Sequence, residues 1–337
     1  MPFKSTLAKS AGKLFGVFNQ RDVDLRGAGL SSRMPPPPPA EIAVTGEDST
    51  NTSPTHTYVT WIAPGSFVVS VSPAGVDYLL VGGGGEGARQ NGPGTSGNAS
   101  TALGLTSYGG GCGAGYNGGD GENGGSGGGG GGNGGAGGSG NMITGPTGSP
   151  APIPAALQPQ GNPGGTAPAI YGGAGGGGAG AAGSPAPTNT TWTQGGAGAV
   201  AMSGDANFPT SYGTAGPTPG RWFAAGGGGS GGNPNGSAPA QPIGGGGKGA
   251  NSDPNGPTTH GIANTGSGGG GYTSGYGGGS GGGGAGGFLS SSMGIVVGSY
   301  SITIGSGGVG SPAPVRAGGN GADGIFVLRV PSVIIVT

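Results

Sequence analysis

In Val76-Asp-Tyr-Leu-Leu-Val-Gly-Gly-Gly-Gly85, residues with strand chemistry run straight into glycine. A residue without a Cβ lets another backbone approach closely, so the junction at Val81 separates two kinds of packing. On its N-terminal side, Gly65-Ser-Phe-Val-Val-Ser-Val71 sets Phe67, Val69 and Val71 on one face, with Ser66, Ser70 and Ser72 on the other. That is the period of a half-buried strand. Tyr58 to Ile62 precedes it across the turn signal Pro64-Gly65. Residues 42–81 are therefore expected to form a small antiparallel meander.

On the C-terminal side of the junction the chain is dominated by glycine. The 337 residues include 96 glycines and 30 prolines, yet only 7% are charged and the net charge is -1. Solvated disordered chains usually carry far more charge, so a compact state held by backbone groups is compatible with this composition. Cys112 is the sole cysteine and excludes an internal disulfide. Strand chemistry returns near the C-terminus. Tyr300, Ile302 and Ile304 alternate with Ser301 and Thr303, and Gly324-Ile-Phe-Val-Leu-Arg-Val330 supplies another apolar run. A few strands do not hold alone, so residues 295–337 are expected to pair with 42–81.

Between them lies the glycine-rich region, 82–294. Collagen requires glycine at every third position, and Gly127 to Gly132 and Gly281 to Gly284 violate that spacing. Two readings stay open. One is a flexible linker. The other is a bundle of extended helices with three residues per turn, side by side, with polar loops at its ends. A structureless insert of this length between pairing strands is disfavoured, which favours the bundle.

Residues 1–33 read as a basic anchor. Lys4, Lys9, Lys13, Arg21, Arg26 and Arg33 outnumber Asp22 and Asp24, while Phe3, Leu7, Ala11, Leu14, Phe15 and Phe18 recur at three- and four-residue intervals. Residues 34–41, with Pro35 to Pro39, form a stiff polyproline spacer. Phe3, Lys4, Leu7, Lys9, Lys13, Leu14, Phe15, Phe18, Arg21 and Arg26 are the candidates for docking to a larger particle. A solvated tail and an amphipathic membrane-surface helix are the other readings of the segment.

Catalytic motifs fare poorly. Gly244-Gly-Gly-Gly-Lys248 has Gly249 where a phosphate loop needs Ser or Thr. Gly118-Gly-Asp-Gly-Glu-Asn123 resembles half of a calcium β-roll repeat but occurs once, and such rolls need stacked copies. His56 and His260 with one cysteine do not make a zinc site. No catalytic, metal or cofactor residue is assigned, and no enzymatic activity or nucleic-acid partner is expected. Trp192, Tyr212, Trp222 and Phe223 lie in polar, proline-containing stretches. They are candidate receptor contacts, able to stack on sugar rings, or else plugs between loops or subunits.

Four stretches together carry a family resemblance: Val76 to Gly85, the glycine tract, Gly298-Ser-Tyr-Ser-Ile-Thr-Ile-Gly-Ser-Gly-Gly-Val-Gly310, and Gly318-Gly-Asn-Gly-Ala-Asp-Gly-Ile-Phe-Val-Leu-Arg-Val330. Their order resembles the glycine-rich module of bacteriophage tail fibres and virion appendages, over about residues 56–330. The resemblance implies a sandwich of polyglycine II helices whose exposed loops bind the host surface. The basic anchor departs from it and implies a chain with its own attachment. The expected fold is mainly β and irregular: a small antiparallel β module, formed by both ends of the chain around a polyglycine II bundle, with a short N-terminal anchor. The expected function is that of a structural virion component, a homotrimer joining a phage head or tail protein to a host-surface glycan or protein. The alternative is a self-assembling extracellular or cell-wall matrix protein that recognises no receptor.

Overall fold

The computed structural model describes residues 41–73, 75–89, 92–141, 160–168, 170–188, 192–231, 240–250, 258–273, 278–310, 317–331 and 334–336. The expected anchor, with all its docking candidates, and the proline run lie outside the described residues. In chain order the strands are β1 (Glu41–Thr45), β2 (Ser49–Thr52), β3 (His56–Trp61), β4 (Gly65–Val71), β5 (Val76–Val81), β6 (Ser100–Ala102) and β7 (Leu105–Ser107). They continue with β8 (Ala199–Val200), β9 (Trp222–Phe223), β10 (Phe288–Met293), β11 (Gly298–Ile302), β12 (Ile325–Pro331) and β13 (Ile334–Val336). The fold is mainly β, and its sheets are mostly antiparallel.

Two sheets face one another. One has the order β11-β4-β1-β13 and the other β10-β5-β12-β3-β2. The alternation of β4 works as its sequence implies: Phe67 and Val69 are buried, while Val68 and Ser70 are exposed. Trp61, Phe67 and Phe326 meet in the space between the sheets, with centroids 5.4 Å apart for Trp61 and Phe326 and 5.8 Å for Trp61 and Phe67. Ile42, Val59, Leu80 and Leu328 complete that core.

The expected meander is not formed. β3 and β4, joined through Pro64, lie in different sheets, and β5 returns to the sheet of β3. The reason is that β12 fits between β3 and β5, pairing Phe326 with both Trp61 and Leu80. The C-terminal strands do pair with the N-terminal ones, but they begin earlier than expected, at Phe288, where β10 runs antiparallel to β5. Glycine up to Gly287 hides this boundary in the sequence. β1 and β13 add one parallel pair.

Four strands continue directly into glycine segments: β5 into 82–88, 281–287 into β10, β11 into 303–310, and 317–324 into β12. The glycine segments are neither α-helix nor sheet, yet their amides are paired. Along 82–88 the backbone N–H groups point to three neighbours in rotation. Gly82, Gly85 and Ala88 donate to Gly287, Gly284 and Gly281, Gly83 and Glu86 to Asn98 and Thr95, and Gly84 and Gly87 to Ala322 and Gly319, all at 2.8–3.0 Å. The same rotation recurs in 126–132, where Ser126, Gly129 and Gly132 donate to Ala285, Gly282 and Gly279, while Gly127 and Gly130 turn to Asn162 and Gly165. Amides on further segments reach the carbonyls of 82–88: Gly110 and Gly113 donate to Gly83 and Glu86, as Gly269 and Tyr272 do to Gly85 and Ala88.

Such spacing excludes side chains. A methyl group at Gly283 would sit on the carbonyl oxygen of Gly85, whereas one at Gly294, in the turn after β10, would meet nothing within 4 Å. Overpacking of this kind costs about 1–3 kcal/mol and at rigid backbone can cost more. Gly283→Ala is therefore expected to lower stability by at least that amount and Gly294→Ala to leave it within about 0.5 kcal/mol, as measured by thermal unfolding. Equal melting temperatures for the two variants would overturn the close-packed account.

Candidate functional site

The register defines two ends of the glycine region. Segment 82–88 leaves β5, so its far end, near Arg89, lies away from the sheets. Segments 109–115 and 266–272 run parallel to it, and 126–132 runs antiparallel to 281–287. Consequently 115–120, 132–135 and the residues around 170–172 and 192 gather at the end distant from the sheets. The turns around 179–182 and the long excursion 199–224 lie at the near end. Glu41 enters on the opposite side of the sandwich, because it pairs with Val71 at the end of β4 that points away from the glycine segments.

The near-end excursion covers the outer face of the β10-β5-β12-β3-β2 sheet. Phe223 and Phe208 are buried with Tyr58, Leu79, Ile325 and Val327, and Phe208 stands edge-on to both Tyr58 (6.1 Å) and Phe223 (5.6 Å). Tyr212 is buried too. Its hydroxyl donates to Asp48 and lies 2.9 Å from Ser49 Oγ, while Arg221 Nε donates to the Tyr212 carbonyl at 2.7 Å. Trp222 is half-buried on the β8–β9 hairpin, packed under Gly216, and exchanges backbone bonds with Thr214. Tyr212 and Phe223 are thus placed against the sheet and Trp222 on the same near-end excursion, so none of these three lies among the far-end turns.

An ionic cluster fastens this excursion. Arg329 on β12 donates to Asp77 on β5 and to Asp205, which also accepts from the Tyr58 hydroxyl at 2.6 Å and from the Asn207 amide at 2.9 Å. Burial, then the hydrogen bond to the Asp205 carboxylate, pushes the Tyr58 hydroxyl up to about 12. Burial works against the charged form of Asp205. The bonds from Tyr58 and Asn207 and the Arg329 charge outweigh it and hold the carboxyl below its ordinary value. A carboxyl lowered on folding stabilises the native state above its unfolded pKa and loses that contribution as pH falls through the folded one. Below about pH 4, amides in 199–224 should therefore exchange faster than intrinsic rates explain. Asp205→Asn should cost about 1–3 kcal/mol at neutral pH and remove that acid sensitivity, read by hydrogen exchange and denaturant unfolding.

At the far end, Trp192 is half-buried and its indole ring packs on Gly231, whose backbone pairs with Gly172. Next to Gly172, Tyr171 is 38% exposed and Ile170 49%. Tyr171 stacks on Tyr116 at 6.4 Å with rings 10° apart, and Tyr116 packs over Gly278. These residues form a band across the far-end turns. Of it, sequence reasoning singled out Trp192 alone; Tyr116 and Tyr171 were signalled only by being aromatic residues flanked by glycine.

Beside the band is an open-sided groove of about 280 Å³ between Pro93 and the turn at Asn117, floored by Ala114 and Gly115 and walled by Asp120 and Glu122. Asp120 Oδ1 accepts from the Ala136 amide at 2.8 Å and Glu122 Oε2 from Ser96 Oγ at 2.7 Å. The stretch that resembles half a calcium repeat is therefore used for bonding adjacent segments, since Asn123 Oδ1 likewise accepts from the Ser139 amide. Among the described residues no group of three or more His, Cys, Asp and Glu side chains could hold a metal ion. Burial, with Glu122 nearby, pushes the Cys112 thiol up to about 12, which keeps it protonated and unreactive.

No family model matches the chain, and no characterised protein or solved structure is detectably similar to it.

Proposed function

We propose that the glycine segments are polyglycine II helices packed side by side, and that the chain is a structural, non-enzymatic component of a bacteriophage virion. In this reading it is a tail-fibre-like appendage, outside the cell, that docks to a head or tail protein through residues 1–33. Its far-end turns contact a glycan or protein of the host surface. The rotation of amides through three neighbours supports the helix type, because an extended helix with three residues per turn directs successive N–H groups 120° apart. One observation carries the functional reading: within the β and glycine unit, the aromatic band lies at the end of the glycine segments away from the sheets, and Glu41 on the side of the sandwich away from those segments. An appendage needs a contact surface of this kind, set apart from the rest of its fold. The assembly proposed is a homotrimer, for which the exposed side of β2 and the turn residues Val296 and Val297, 72% and 62% exposed, offer joining surfaces.

The test is made on whole particles. Deleting residues 1–33 should leave a folded chain that no longer incorporates. Trp192→Ala and Tyr171→Ala should preserve incorporation but weaken adsorption by roughly tenfold or more, the scale of 1–3 kcal/mol expected at a hot spot. Phe223→Ala should instead destabilise the fold by about 3–5 kcal/mol, as removal of a buried aromatic does. Electron microscopy should show discrete projections. A continuous filament or amorphous layer would favour a self-assembling matrix protein, and normal adsorption by both far-end variants would overturn the contact surface.

A further inference from the structure

We infer that the groove between Pro93 and Asn117 is a binding site for a single neutral hexose residue of a surface glycan. This deepens the reading of the far-end turns as the host-facing surface and rests on it for its biological use. Three features of the groove point to sugar chemistry. First, its acceptors are held ready. A carboxylate offers about four acceptor positions; Asp120 is held by the Ala136 amide and Glu122 by Ser96 Oγ and the Cys112 thiol, and both stay exposed, so acceptor capacity remains for a ligand on groups that are already ordered. A pair of fixed carboxylates suits a row of hydroxyl donors and repels an acidic sugar.

Second, the groove supplies the complementary groups. Asn117 is exposed on the turn opposite and brings an amide with both donors and an acceptor. The exposed Pro93 ring gives the apolar surface that the C–H face of a pyranose needs. Third, size and rigidity fit. About 280 Å³ is below the roughly 300–1,000 Å³ typical of sites for drug-sized ligands and admits one ring. The floor is fixed backbone: Gly115 packs directly against the Gly92 backbone, leaving no room there even for a Cβ. The turn itself is held from its other side, where Tyr116 stacks on Tyr171. Little conformational freedom remains to be lost when a ligand binds.

The experiment uses the full-length chain and the methyl glycosides of glucose, galactose, mannose, N-acetylglucosamine and glucuronic acid, with binding read by saturation-transfer NMR and titration. At least one neutral glycoside is expected to bind in the millimolar range, with the glucuronide at least tenfold weaker. The double variant D120N/E122Q keeps the shape and the bonds to Ala136 and Ser96, and should lose at least tenfold in affinity. G92W tests the site independently of those bonds: Gly92 lines the groove, a Cβ there meets nothing within 4 Å, and the ring should block entry while leaving the melting temperature unchanged. Absence of binding by all four neutral glycosides overturns the inference, as does wild-type affinity in D120N/E122Q and G92W. Particle adsorption separates this from the broader reading. If D120N/E122Q loses sugar binding but particles carrying it adsorb normally, the saccharide site stands and its role in host contact falls. If particles adsorb through the aromatic band while no glycoside binds, the appendage reading stands and the saccharide site falls.

Discussion

Everything in this molecule depends on how near two bare backbones can come. In the glycine region each amide finds its acceptor on a different strand of chain from the one before, so every segment must touch several others at once. A single Cβ at most of these positions would land on a neighbour's carbonyl oxygen. The non-glycine residues admitted are small, and several of them add bonds of their own. Ser230 Oγ donates to the Tyr272 carbonyl at 2.6 Å and accepts from the Ser280 amide at 2.8 Å, and Ser267 Oγ donates to the Gly244 carbonyl at 2.6 Å. Glu86 is one of the larger residues admitted. Its fully buried carboxylate accepts from the Thr95 amide at 2.9 Å and pairs with Arg89, where the segment ends.

Ordering this much glycine is costly, since glycine loses more conformational freedom on folding than any other residue. Each backbone bond returns only about 1 kcal/mol net. The sandwich offsets part of that cost by a different force. Its two apolar layers fix the ends of segments 82–88, 281–287, 303–310 and 317–324, so that they begin already aligned. The second layer is unusual in drawing on the glycine region itself: the excursion 199–224 returns Phe208, Tyr212 and Phe223 to the outer face of the larger sheet. The central strands β5, β12 and β3 of that sheet are thereby buried on both sides, one layer supplied by the sandwich and the other partly by the glycine region.

How much of this was legible follows from the range over which each interaction acts. The alternation in β4 and the apolar runs of β5 and β12 are local, and the sequence displayed them. The insertion of β12 between β3 and β5 is not local. Nothing in residues 56–81 marks that their neighbour is supplied from 325–331, so a meander was the natural expectation. β10 escaped notice because Phe288-Leu-Ser-Ser-Ser-Met293 reads as the tail of a glycine tract, and only pairing with β5 makes it a strand. The aromatics of 199–224 resembled loop residues because their apolar partners lie more than a hundred residues away along the chain. The groove was invisible for another reason: Pro93 meets Asn117, Asp120 and Glu122 only through the pairing of separate segments, which no local pattern marks. Asp120 and Glu122 stood out only as part of a metal motif that the fold does not use in that way.

The rotating amides impose a rule of arithmetic on the gene. Within a segment such as Ser126 to Gly132, adding or removing one codon would turn every later N–H group toward the wrong neighbour, and two codons would do no better. Three would restore the direction of every bond and change only the segment's length. The far-end turns are freer of this rule, since the chain reverses there and the rotation does not run through them. Variation in length should therefore accumulate in multiples of three residues inside the glycine segments and with less restriction at their tips, so that the body changes only by whole rounds of three bonds while the turns vary more freely.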